Sequence, residues 1–217
     1  MKFIHTILVL FCIGFLPLIA QNDSEAEAIL KSVSEKYKTI ESSKIDLELI
    51  IKIPESEEDV KTKGKAWLKG DMFKIEFDER MLVSNTKTQW TYLKEVNEVQ
   101  ISTYDPGAMI FLPSKIFNIY SDEYYFRVKE EYKNEKKELV KVLELNPYNK
   151  DFQIFKIVVA VNISKNEVVS SEIFEKSGMR YKYRILSLES NLKLKDDFFT
   201  FDPKKYKIEE EDITDLR

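Results

Sequence analysis

Histidine and cysteine are almost absent from this sequence, whose 217 residues include one of each, His5 and Cys12. Both lie within the first twenty residues, so a mature chain that begins after residue 20 has neither. Such a chain cannot form disulfides, thiolate nucleophiles or Ser-His-Asp triads, and it lacks the usual ligands of zinc, copper and haem. We therefore expect no metal site and no cofactor, and any catalysis would depend on carboxylates, lysine or tyrosine.

The first twenty residues have the pattern of a secretory signal peptide. Lys2 provides a positive charge, residues 7–18 are almost all apolar, and Ala20 is a small residue suited to cleavage. The apolar run is shorter than the roughly 20 residues that a membrane-spanning helix needs. We expect residues 1–20 to be removed and residues 21–217 to form a single domain in the periplasm.

Basic residues are outnumbered, with 34 Lys and Arg against 38 Asp and Glu, and the formal net charge is −4. No basic stripe accompanies the 11 tyrosines, so the sequence lacks the electrostatic pattern of a nucleic-acid-binding protein. The two carboxylates of a glycosidase are brought together by the fold, so they have no characteristic spacing in the sequence. A hydrolase is therefore the least favoured class, and we expect a protein that is not an enzyme.

One helix is indicated near the start of the mature chain. Ser24 and Glu27 have the spacing of a capping box, and apolar residues then recur at intervals of three and four as far as Ile40. A second, short helix is predicted between Ser114 and Ile119. The first helix is expected to lie against a sheet.

After Ser43 the apolar period changes from 3.6 to 2, which predicts β-strands. The connections are too short for crossover helices, so the strands must form an antiparallel meander. Ten or more such strands predict a strongly curved sheet or an open barrel, with its mouth partly covered by helices. The predicted strands are 45–53, 60–69, 72–77, 81–83, 88–93, 99–103, 124–131, 139–145, 152–161, 168–175, 181–188 and 198–201.

Several segments of the mature chain carry a family resemblance: Gly64 to Lys69, Phe73 to Glu76, Lys87 to Tyr92, Phe199 to Pro203 and Asp215 to Arg217. Together they resemble the outer-membrane lipoprotein carrier protein family (LolA), over most of the mature chain. The resemblance implies a mainly β (α+β) fold, with a curved antiparallel sheet that forms an unclosed β-barrel of about 11 strands, an N-terminal helix and a short helical lid. It also implies a carrier that moves lipoproteins from the inner to the outer membrane by holding their acyl chains in an apolar cavity.

The partners that the resemblance implies are acylated lipoproteins as cargo, an ATP-driven lipoprotein-releasing transporter in the inner membrane, and an acceptor at the outer membrane. At about 0.8 kcal/mol per buried methylene, one sixteen-carbon chain would contribute roughly 12 kcal/mol to binding. The sequence shows no pattern that indicates an oligomeric interface, so we expect a monomer. A lipoprotein-sensing module of the same fold is the alternative function.

The candidate lipid-binding residues are large apolar side chains of the early strands and of an apolar stretch that follows the first meander. Each is open to a second interpretation as ordinary core, and the stretch at 109–112 could be either a lid or a permanent plug. These residues are Leu47, Leu49, Trp67, Phe73, Ile75, Trp90, Tyr92, Met109, Ile110, Phe111 and Leu112.

Two positions depart from the family's pattern. Asn85 and Thr86 stand where the family commonly has Asp-Gly, in a turn before the Lys-Thr-x-Trp stretch. Many members carry an arginine that fastens the lid helices, and here the corresponding position is Lys69, with no arginine before Arg80. Lys69 is therefore the lid-fastening candidate, although an ammonium lacks the planar fork of donors of a guanidinium.

Overall fold

The computed structural model describes residues 23–104 and 123–217, and within them it contains one α-helix and twelve β-strands. The chain order is α1 Ser24–Lys38, β1 Ser42–Lys52, β2 Val60–Lys69, β3 Met72–Phe77, β4 Arg80–Ser84, β5 Thr88–Leu93, β6 Glu98–Thr103, β7 Tyr124–Lys133, β8 Leu139–Pro147, β9 Ile154–Asn162, β10 Glu167–Glu175, β11 Arg180–Ser190 and β12 Ile213–Asp215. The helix predicted between Ser114 and Ile119 lies outside the described residues.

All twelve strands belong to one curved sheet in the order β12-β6-β5-β4-β3-β2-β1-β11-β10-β9-β8-β7. Neighbouring strands are antiparallel, apart from β12, which runs parallel to β6. The first and last strands of this order do not pair with each other, so the barrel is open. The prediction of an unclosed, mainly antiparallel sheet is confirmed, with one strand more than the expected 11.

The two faces of the sheet carry separate apolar clusters. On the face that we call inner, side chains of α1 pack with residues of β1 to β3 and of β7 to β11, and this cluster contains Leu30, Val33, Phe73 and Leu143. We call the opposite face outer. Register shifts interrupt the pairings of β1 with β11, of β9 with β10 and of β7 with β8, and such bulges increase the local twist that bends the sheet.

Asp23 begins the helix and also joins it to the sheet. Its carboxylate accepts hydrogen bonds from Glu25 N at 2.9 Å and from Val128 N of β7 at 3.1 Å. The backbone N–H of Asp23 donates to Phe126 O at 3.2 Å. The bond from Val128 is the main reason that the pKa of Asp23 lies below its ordinary value. The capping residue is thus Asp23, and the prediction that Ser24 caps α1 is wrong by one residue.

The chain after β11 crosses the outer face of β2 to β6. Phe201 and Ile208 of this C-terminal segment, residues 192–217, form a buried cluster with β4, β5 and β6. The strand predicted at 198–201 is wrong, because Asp196–Phe199 forms a 3₁₀ turn and the final strand is β12. Phe199 and Phe201 of this run are buried without any strand pairing.

No helix in the described part of the chain is long and apolar enough to cross a membrane. In residues 23–104 and 123–217, no three histidine, cysteine, aspartate or glutamate side chains are grouped as a metal site would require.

Candidate functional site

Four of the candidate lipid-binding residues lie on the inner face. Leu47 and Leu49 of β1 and Phe73 and Ile75 of β3 belong to the cluster that includes α1, and each is at most 3% exposed. Alternation along each strand places them on one side, and antiparallel pairing through β2 aligns the two strands. The structure therefore brings these four side chains together, as the sequence predicts, and their role in lipid binding stays a prediction.

The three aromatic candidates, Trp67, Trp90 and Tyr92, lie on the outer face, so the prediction that they share one interior with Leu47 and its neighbours is wrong. In β2 the inner positions are Ala66 and Leu68, which leaves Trp67 on the other side. Phe155 is exposed, and its ring packs on that of Phe174 with centroids 6.2 Å apart.

The C-terminal segment covers the outer-face aromatics. Tyr92 lies 5.5 Å from Phe201 and 5.2 Å from Tyr206, measured between ring centroids, and the rings of Phe201 and Tyr206 are stacked at 4.9 Å. Trp67 meets Phe198 edge to face at 5.7 Å. Because the sheet is covered on both sides, a large apolar residue in a strand does not reveal which face it occupies.

Lys69 contacts the C-terminal segment. Its ammonium donates to Leu194 O at 2.8 Å and to Asp196 Oδ1 at 2.7 Å. Lys69 alternates with Leu68, so it too belongs to the outer face. The candidates Met109, Ile110, Phe111 and Leu112 lie outside the described residues, and the proposed contact of Lys69 with a lid there remains a prediction.

A pocket of about 570 Å³ opens on the inner face at one end of the sheet. Five hairpin connections form this end, which we call the mouth end: residues 53–59, 78–79, 94–97, 148–153 and 176–179. The pocket volume lies within the range of small-molecule sites, roughly 300 to 1,000 Å³.

The pocket wall is mostly apolar on the side of the sheet. Leu49 pairs with Thr62 and Ile51 with Val60, which sets these four residues beside one another at the end of β1 and the start of β2. Phe77 and Leu93 complete this wall, while acidic turn residues form the rim. The wall continues the buried inner cluster toward solvent, because Leu49 and Phe77 belong to both.

Two cations line this pocket, Lys61 and Arg80. Nothing in the sequence pattern singles out Arg80 as a site residue. It pairs with Leu93 at the start of β4. Burial raises the pKa of the Tyr183 phenol of β11 above its ordinary value, and the guanidinium of Arg80 acts in the opposite direction. No ion pair is seen between Arg80 and the described residues. An unpaired guanidinium beside an apolar wall can bind an anionic or ester oxygen of an amphipathic ligand.

Phe77 is held in the wall by a close contact with a glycine. A Cβ added to Gly64 would lie 2.6 Å from the ring of Phe77, which is inside any permitted contact. The sequence alone marks Gly64 only as part of a family motif. The structure explains the residue type: the ring needs the space that the missing side chain leaves.

The sequence matches one protein family over much of its length. The family model described as outer membrane lipoprotein carrier protein LolA matches residues 52–202, more than half of the chain. No curated protein matches the sequence. Among solved structures, an uncharacterised conserved protein from Thermus thermophilus has a TM-score of 0.55 at 11% identity, over 88% of this chain and 99% of its own.

A second solved structure with the same fold is lipoprotein LppX from Mycobacterium tuberculosis. Its TM-score is 0.52 at 6% identity, and the match covers 80% of this chain and 100% of LppX. Identities this low show a common fold and nothing about shared ligands. The family model carries the assignment: this chain belongs to the outer membrane lipoprotein carrier protein LolA family.

Proposed function

We propose that this protein is a periplasmic lipid-binding carrier, which holds the acyl chains of lipoproteins against its inner face and moves them from the inner to the outer membrane. Membership of the LolA family supports a carrier and not an enzyme. The export of the chain is supported by the signal-peptide pattern of residues 1–20.

The observation that carries the proposal is the pocket at the mouth end. It joins an apolar wall, continuous with the inner cluster, to two cations, Lys61 and Arg80. This combination suits a ligand with an apolar chain and a polar head group. Each buried methylene would contribute about 0.8 kcal/mol, so even partial burial of one chain gives substantial affinity.

Blocking the pocket tests the proposal. Thr62 lines the pocket beside Leu49, and Thr62→Trp would fill the space with an indole ring. Thr103→Trp is the matched control, because Thr103 is an exposed strand threonine outside the pocket. The probe is a synthetic tripalmitoylated lipopeptide, and binding is measured by native mass spectrometry and by displacement of a fluorescent fatty acid.

We expect the unmodified protein to retain the lipopeptide, Thr62→Trp to bind it at least about tenfold more weakly, and Thr103→Trp to bind it normally, since an indole in the pocket displaces several methylenes. Failure of the unmodified protein to take up the lipopeptide would contradict the lipid-binding function. Equal losses in both variants would place binding away from this pocket.

The carrier role requires two further partners, an ATP-driven lipoprotein-releasing transporter that loads the chain and an acceptor at the outer membrane. Depletion of the protein in its own cell tests this step. A carrier predicts that lipoproteins accumulate in the inner membrane, as measured by membrane fractionation. Lipoproteins that reach the outer membrane normally after depletion would instead favour a sensing module.

A further inference from the structure

We infer that the outer face of β1, β2 and β11 is a docking surface for an extended, acidic segment of a protein partner. We call this surface the cationic strip. It lies on the side of the sheet opposite the pocket and needs no lipid cargo, so a role in docking goes beyond the proposed function.

Two strands present rows of cations on the outer face, one on each side of β1. In β2 Ala66 and Leu68 face the inner cluster, so the residues of odd number face outward. In β11 Tyr183 belongs to the inner cluster, so the residues of even number face outward. The rows are Lys61, Lys63 and Lys65 in β2 and Arg180, Lys182 and Arg184 in β11.

Pairing through β1 aligns the two rows. Lys63 of β2 and Arg184 of β11 pair with Glu48 from opposite sides, and the same register repeats at the next outer position, Ile50. Neighbouring strands are about 4.8 Å apart, so the rows lie roughly 10 Å from each other. An extended chain laid along β1 would therefore have a row of cations on each side.

The cationic strip has an excess of positive charge. Its six cations face three carboxylates, those of Asp46, Glu48 and Glu172 of the adjacent β10. Glu48 is paired with Arg184 at 3.1 Å, and Glu172 lies 4.0 Å from Lys182. Within the described residues, four cations of the strip form no ion pair, although the whole chain has a net charge of −4. These four are Lys61, Lys63, Lys65 and Arg180.

A groove of about 460 Å³ opens on the cationic strip. Lys63 and Lys65 line it, and among the described residues none from the C-terminal segment does, so the groove stays open beside that segment. Glu76 and Asp78 lie where the groove approaches the mouth end, and Glu76 is paired with Lys94 at 3.2 Å. An acidic partner would therefore lie along β1 and β11, away from Asp78.

Two residues of the groove favour a peptide as the occupant. Asp46 accepts a hydrogen bond from Ser187 through Oδ2 at 2.7 Å, whereas its Oδ1 is buried with no hydrogen-bond partner in the described part of the chain. A backbone N–H of a bound segment would supply the missing donor. Leu186 lies at the register shift between β1 and β11, is 55% exposed and offers an apolar contact.

The spacing of the lysines also fits an extended chain. Alternate residues of a strand lie about 7 Å apart, and this is the distance between successive members of the β2 row. Carboxylates at every second position of an extended segment have the same repeat. Each carboxylate could then meet one cation without any change in the sheet.

Fluorescence anisotropy with a short labelled peptide tests the inference. The probe has glutamate at every second position, a central leucine and threonine elsewhere. One control peptide has glutamine in place of glutamate, and a second has the same composition with its glutamates in one block. An oligogalacturonate of equal charge tests an anionic glycan as the occupant.

The charge variant is Lys63→Glu with Lys65→Glu, which leaves Lys61 of the pocket in place. Its matched control is Lys129→Glu with Lys133→Glu, because these are two exposed strand lysines on β7, outside the cationic strip. Thermal melts establish that each variant is folded.

The apolar variant is Leu186→Ser, and its control is Leu216→Ser. Leu216 is 64% exposed and lies near the end of the chain, outside the groove. The salt dependence of binding by the unmodified protein adds a test that needs no variant.

We expect the alternating peptide to bind the unmodified protein, the charge variant to bind it at least about tenfold more weakly, and Leu186→Ser about threefold more weakly. Both controls should bind it normally. Binding should also weaken several-fold as the salt concentration rises from about 50 to about 300 mM, because the charges are exposed and screened.

The inference is overturned if the alternating peptide does not bind, if the glutamine peptide, the block peptide or the glycan binds equally well, or if variants and controls behave alike. Lipopeptide binding should be the same in the charge variant as in the unmodified protein, since Lys63 and Lys65 lie on the face opposite the pocket. Failure of peptide docking and failure of the proposed function are therefore separate results.

Discussion

The C-terminal segment should stabilise the fold without contributing to lipid binding, and Phe201→Ala tests this division between the two faces. Phe201 is 5% exposed, and its ring packs against those of Tyr92 and Tyr206. The substitution leaves a void under the segment and removes both ring contacts. It touches no residue of the mouth-end pocket.

The expected loss follows from the burial of the ring. A Phe-to-Ala change in a core costs about 3 to 5 kcal/mol in unfolding free energy. We expect about 3 kcal/mol, at the lower end of this range, because the segment lies at the chain end and can settle toward the sheet. For a chain of this length, that loss lowers the melting temperature by roughly 6 to 12 °C.

The assay is urea unfolding followed by intrinsic fluorescence, with lipopeptide binding measured on the same samples below the transition. Phe155→Ala is the control for loss of an aromatic ring, and it should cost less than about 1 kcal/mol because the ring is exposed. A Phe201→Ala protein with unchanged stability, or one that is folded but no longer binds the lipopeptide, would refute the assignment of these aromatics to a structural outer cluster.

Three other changes have expected outcomes. Gly64→Ala should destabilise the protein by about 1 to 3 kcal/mol in urea unfolding and shift the near-ultraviolet dichroism, because the new Cβ displaces the ring of Phe77. Asp23→Ala should cost about 1 kcal/mol in the same assay through loss of the helix cap. The hydrogen bond and ion pair with Lys165 lower the pKa of Glu138 to about 2, so its stabilising effect is present above the ordinary value of 4.5 and is lost as the pH falls toward 2. Glu138→Gln should flatten the stability profile in that window, and an unchanged profile would contradict the role of this carboxylate.

The strands could be predicted closely where alternation and turn residues agree. The predicted ranges 60–69, 72–77 and 88–93 coincide with β2, β3 and β5. The failure at 198–201 has a physical cause, because a short apolar run satisfies its burial equally well as a strand or as a turn lying flat on a sheet. Only the position of the chain over β4 and β5 decides between them.

The faces of the sheet could not be predicted from the sequence. A period of two shows that Trp67 and Leu68 point to opposite sides, but it does not say which side is inner. In a sheet with one face in solvent, the outward positions are polar and so identify the outer face. Here the C-terminal segment covers the outer face of β4 to β6, so apolar residues occur on both faces. Side-chain size misleads as well, because the inner positions of β2 are the smaller Ala66 and Leu68.

The two cations that flank the early strands have different surroundings. Lys69 lies at the end of β2 away from the mouth, where Leu194 and Asp196 already accept its hydrogen bonds. Arg80 lies at the mouth end on the inner face, and the described residues offer it no ion pair. A head group that enters the pocket would therefore meet Arg80 and Lys61 and not Lys69. Recognition of cargo in this chain should accordingly depend on Arg80 and Lys61, while Lys69 holds the C-terminal segment in place.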